Sequence, residues 1–147
     1  MHSELRRTLP LVLAAAASLV AARAANAEPF ALLIHETPAQ LALRTDPARA
    51  QAYWAAYGAY GEEMARAGVL RGGQVLKAAA QAATVRQTGG QVSVKAGGRA
   101  WPDAELSGFF LIEVADARTA ADWAAKAPAL PDAWVEVRPA FPAPTMR

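Results

Sequence analysis

Cysteine is absent from the 147 residues, which excludes disulfides, thiolate nucleophiles and cysteine-based zinc sites. Histidine is almost absent: beyond residue 27 only His35 remains. A metal site or a catalytic triad would therefore have to be assembled around one imidazole and carboxylates. No metal and no cofactor are expected; haem would have His35 as its only axial ligand, and nothing else in the chain points to it. A surplus of positive charge is also missing. The net charge is +2, and Arg6, Arg7 and Arg23 against Glu4 account for all of it, so residues 28–147 carry equal numbers of basic and acidic side chains. Without a clustered Lys/Arg stripe, a phosphate backbone has nothing to bind, and a nucleic-acid partner is not expected.

A membrane-spanning run is lacking as well. The longest apolar stretch, "LPLVLAAAASLVAA", has 14 residues and includes Pro10, short of the roughly 18–20 that a bilayer demands. It follows the basic "MHSELRRT" and precedes "ARAANA", whose small-x-small ending stands just before Glu28. This pattern predicts a signal peptide over residues 1–27, cleaved near Ala27, and one domain over residues 28–147. A periplasmic or secreted location follows; a start codon assigned too early would leave the protein cytoplasmic instead.

What is present reads as an alternation of strands and helices. "PFALLIH" (29–35) is a near-continuous apolar run, as in a strand buried on both faces. Asp46-Pro47 offers a cap and a first-turn proline for a helix that runs to about Ala67 and stops at Gly68. Tyr53, Tyr57, Tyr60 and Met64 recur along it at helical spacing, a stripe that belongs to a core more often than to a cofactor. "GGQVL" (72–76) is a short strand, "AATVRQT" and "QVSVKA" form a hairpin about Gly89-Gly90, and "GFFLIEV" (108–114) is another strong strand. A second helix capped by Asp116 carries Trp123, and "AWVEVRP" closes the series. Two helices cover one face of such a sheet, leaving the other for solvent or a second subunit.

Alternation groups His35 with Ala31 and Leu33, Glu113 with Phe109 and Leu111, and Glu136 and Arg138 with Trp134. If these sets share the helix-free face, the four form a polar group among aromatic side chains. A carboxylate near an imidazole fixes its tautomer and raises its basicity, the usual preparation of a general base. The bland reading competes: exposed faces are polar by default, and Glu136–Arg138 would be a surface ion pair of small consequence.

The segments "FALLIHE", "YWAAYGAYGEEMARAGVLRGG", "LSGFFLIEV" and "WAAKAPA…AWVEVRPA", in this order over residues 29–140, resemble the YCII-related proteins, and within them the branch named for an Asp-Gly-Pro-Phe motif. The resemblance implies an α+β, ferredoxin-like sandwich of the dimeric α/β-barrel type, hence a homodimer. It also implies a proposed His–Asp active site in a few lyase or dehydrochlorinase relatives. Counted back from Leu106-Ser107-Gly108-Phe109, the motif falls on Ala96, Gly97, Gly98 and Arg99, so only the glycine is kept. The helix position that carries histidine in shorter relatives falls near Tyr57, and their Asp-Pro near Ala127-Pro128.

Three functions follow as expectations. The first is an exported dimeric barrel that binds a small molecule without the family's His–Asp chemistry, with Trp54, Tyr57, Trp101 and Trp134 as walls. The alternative is a lyase- or isomerase-type enzyme with His35 as base, oriented by Glu113 or Glu136. There Arg138 would hold an anionic substrate, and Asp103 or Glu105 would replace the lost aspartate. The third is an assembly module. The candidate site is thus His35, Glu113 and Glu136 for catalysis, and Arg138, Tyr57, Arg99, Trp101, Asp103 and Trp134 for binding.

Overall fold

The computed structural model describes residues 27–141. The predicted signal peptide falls almost wholly on residues 1–26, outside the described residues. Among the described residues no helix is long and apolar enough to cross a membrane.

The elements follow the expected order. Strand β1 spans Glu28–Glu36, the short helix α1 Pro38–Leu43, helix α2 Ala50–Arg66, β2 Leu70–Val75, β3 Ala83–Thr88, β4 Gln91–Ala96, β5 Glu105–Val114, helix α3 Ala117–Ala124 and β6 Trp134–Pro139. Their ends show the local chemistry that sets them. Thr37 and Gln40 form a reciprocal capping box at α1. Asp46 accepts from the amides of Ala48 and Arg49, so the chain turns where Asp46-Pro47 predicts, but regular helix begins three residues later. Gly68, at φ 72°, ends that helix as expected. Asp116 caps α3 through the Thr119 amide at 2.7 Å. Gly89 and Gly90 take φ of 57° and 82° in the hairpin turn.

Four strands form one antiparallel sheet in the order β2-β5-β1-β6, and β3 pairs with β4 in a separate two-stranded sheet. Alternation along β1 sends Phe30, Leu32 and Ile34 to the helix side. There they meet Tyr60 and Met64 of α2, Ile112 and Val114 of β5, and Ala120 and Ala124 of α3. Each large apolar side chain buried here contributes about 1.5–3 kcal/mol. Helices α2 and α3 lie on this one face, as the element count predicts.

The expectation of a ferredoxin-like sandwich of the dimeric α/β-barrel type is corrected. Both sheets are open and antiparallel, and no closed barrel forms among the described residues. Closure needs an unbroken ring of strand pairing. Here the outer edges of β2 and β6 have no strand partner among the described residues, and β3 and β4 pair only with each other. The homodimer inferred from barrel closure loses that premise. The face reserved for a second subunit instead carries the ion pairs Arg71–Glu113 and Arg138–Glu136, with Trp101 packed on His35.

One irregularity positions the site. Ile34 pairs with Gly108 and His35 with Leu106, so Ser107 is an extra residue in β5. Its hydroxyl donates to the Ile34 carbonyl at 3.2 Å. Next to it, Gly108 lies so close to β2 that an added Cβ would stand 2.9 Å from the Gln74 carbonyl oxygen. Gly108→Ala is therefore expected to cost about 1–3 kcal/mol of stability by overpacking against backbone that cannot turn aside. Thermal unfolding checks this, and an unchanged midpoint would mean that β2 yields freely.

Candidate functional site

His35 is the last residue but one of β1, and its side chain is 2% exposed. Its ring stacks on Trp134 of β6, with centroids 5.1 Å apart and planes 15° apart, and meets Trp101 edge-on at 4.9 Å. Neither ring nitrogen has a hydrogen-bond partner among the described residues. The nearest opposite charge is Glu136, whose Oε2 lies 4.0 Å from Nε2, within ion-pair range and beyond a hydrogen bond. Burial pushes the His35 pKa below its ordinary value; the Glu136 charge pulls the other way and loses. The imidazole is consequently neutral at pH 7. Glu136 is itself held by Arg138, through Nε at 2.9 Å and through a second, shorter contact from Nη2.

The other predicted residues divide. Trp101 and Trp134 are the walls of the His35 site, and Arg99 lies with its guanidinium 5.6 Å from the Trp101 ring. Arg138 pairs across β1 with Ala31 and reaches the site only through Glu136. Glu113 does not belong to it. In register it faces Pro29, six residues along β1 from His35, or about 20 Å at the rise of a strand. There it accepts from Arg71 Nε at 2.6 Å. Asp103 is exposed in the loop before β5. Glu105 accepts from the Ala79 amide at 2.8 Å and anchors that loop. Tyr57 is on the opposite face of the sheet, hydrogen-bonded to Glu36.

Glu36 is the residue that sequence reasoning missed, together with Arg44 and Tyr53. It is 1% exposed and receives Arg44 Nη2 at 2.8 Å, Tyr57 Oη at 2.9 Å, and Tyr53 Oη at 3.0 and 2.9 Å to its two oxygens. Arg44, just past α1, also donates to Tyr53 Oη and to the carbonyls of Leu76 and Ser107. Burial, opposed by Arg44 and reinforced by the Glu36 charge, pushes Tyr53 up to about 12 and Tyr57 higher still. Both tyrosines are neutral donors to the carboxylate across the physiological range. A signal was present: the alternation that puts Phe30, Leu32 and Ile34 in the core puts Glu36 there too. A carboxylate on a core face requires partners.

These sites also correct the leading functional expectation. An exported, dimeric, non-catalytic barrel requires a barrel, which the open sheets do not make. The sheet instead carries a buried imidazole beside a carboxylate, the arrangement the enzyme alternative calls for.

Compared with known proteins, the chain matches the family profile described as the YCII-related domain, over residues 28–143. No curated protein is a significant match.

Proposed function

The chain belongs to the YCII-related domain family, and within it we propose a proton-transfer enzyme of the lyase or isomerase type, with His35 as the general base. The observation that carries this reading is the pair of unpartnered nitrogens on a buried imidazole. Leaving such a group unsatisfied costs about 1–3 kcal/mol, and a substrate that hydrogen-bonds to it recovers that cost. The narrower placement in the Asp-Gly-Pro-Phe branch is part of the same proposal and rests on Gly97 and the register from Leu106 to Phe109.

In this reading His35 removes a proton from carbon beside a carbonyl. The C–H bond breaks, its electron pair enters the π-system, and the proton resides on the imidazole. Return of the proton to a different carbon completes an isomerisation; loss of a β-leaving group completes an elimination. The imidazolium formed in between is favoured by the Glu136 charge at 4.0 Å and by the face of Trp134. Glu136 acts through His35 and is a positioning residue. Substrate enters by displacing Trp101, which sits in the loop before β5 and is 43% exposed.

Proton–deuteron exchange in D2O tests the proposal. A panel of carbon acids (simple ketones, β-keto acids and unsaturated lactones) is followed by NMR with the wild-type protein and with His35→Gln. Exchange at one class of carbon acid that falls by about a hundredfold or more in H35Q is the expected result. No exchange by the wild type, or equal exchange by the variant, overturns it.

A further inference from the structure

We propose that the Glu36 cluster forms the polar end of a second binding site, on the helix side of the sheet, for an uncharged aromatic molecule bearing a hydroxyl group. This goes beyond the His35 reading and does not depend on it.

A cavity of about 500 Å³ lies between α2 and the β2 edge of the sheet, within the size range of small-molecule sites. Its walls include Trp54, Tyr57, Gly58, Gly73 and Phe110, and its polar end is Arg44 with Tyr53. Glu36 stands behind the two tyrosines and does not line the space. That placement selects the ligand. A carboxylate only accepts hydrogen bonds, so both phenolic protons point to Glu36 and away from the cavity. Tyr53 Oη already accepts from Arg44 Nε, whereas the Tyr57 oxygen receives no donor among the described residues, so its lone pairs are the ones a ligand O–H can use.

Arg44 makes four hydrogen bonds to Tyr53, Leu76, Glu36 and Ser107, which leaves one of its five N–H groups uncommitted among the described residues. A hydroxyl, donor and acceptor at once, complements both groups. Charge narrows the class further. The Arg44 and Glu36 charges cancel at 2.8 Å, so an anionic ligand finds no free countercharge and meets the acceptor oxygens of the tyrosines. Aromatic walls and the small residue Gly58 leave room for a flat ring system. A Cβ built on Gly58 meets nothing within 4 Å.

The test is calorimetric titration of the full chain with β-naphthol, its methyl ether and β-naphthoate. Saturable one-site binding of the naphthol is expected. The ether, which cannot donate, should bind about tenfold more weakly, and the naphthoate about a hundredfold more weakly. Tyr57→Phe should erase the preference for naphthol over its ether. Gly58→Leu, which fills the cavity from a helix interior that favours leucine, should abolish naphthol binding while circular dichroism stays native. Absence of saturable naphthol binding, equal affinity for the ether, or undiminished binding in a folded G58L protein each overturns the proposal.

Discussion

Replacing Glu36 by alanine should lower the stability of the domain by about 3–5 kcal/mol, the cost of removing one partner from a buried ion pair. Arg44 would keep its positive charge at 13% exposure, with only two carbonyls and the Tyr53 oxygen left to bond. The Tyr53 and Tyr57 hydroxyls would lose their acceptor. Domains of this size are stable by about 5–15 kcal/mol in total, so E36A should lose a large share of the whole. Urea titration gives the measurement: the midpoint falls steeply while the slope stays that of the wild type. E36A/R44A, which removes both charges, should be less destabilised than the two single variants added together. A loss under about 1 kcal/mol for E36A would mean that the pair is solvated like a surface salt bridge, and the account of the cluster would fail.

The same cluster shows where sequence reasoning stops. Alternation in β1 assigns each residue to a face, and Gly89-Gly90 and Asp116 mark a turn and a cap because those choices are local. Position along a face is not local. Glu113 and Glu136 share a face, and only pairing separates them: Glu136 sits opposite Leu33, one same-face step from His35, whereas Glu113 sits opposite Pro29. The extra Ser107 in β5, which shifts the pairing of His35 and Glu36 alone, is likewise revealed by no periodicity. Arg44 is more distant still from any local pattern. It lies in a short segment between two helices and meets Glu36 only because α1 folds back over the end of β1. The barrel fails for a related reason: an open sheet edge has no signature within its own strand, so a family resemblance supplied the closure that this chain's pairing does not make.

Replacing His35 by glutamine should reduce proton exchange by about 10²–10⁴-fold, the usual worth of a positioned general base, and should remove a characteristic pH dependence. In the proposed reaction the neutral imidazole is the active form, so the wild-type rate should fall with acid along a single titration. Its midpoint should lie below about 6.5, the ordinary value for histidine, because burial lowers the His35 pKa more than Glu136 raises it. Glu136→Gln takes away the raising charge and should move that midpoint further down, while leaving the stacking on Trp134 in place.

Stability carries the same sign. Below about pH 6.5 the unfolded chain takes up a proton at His35 that the folded chain refuses, so the folded state loses ground as pH falls from there to the lowered pKa. Above pH 6.5 both states hold a neutral ring and the contribution is complete. In H35Q this acid-side slope should flatten, measured as the denaturation midpoint against pH. An activity midpoint above 6.5, or a slope that survives the substitution, would show that a group other than His35 carries the proton.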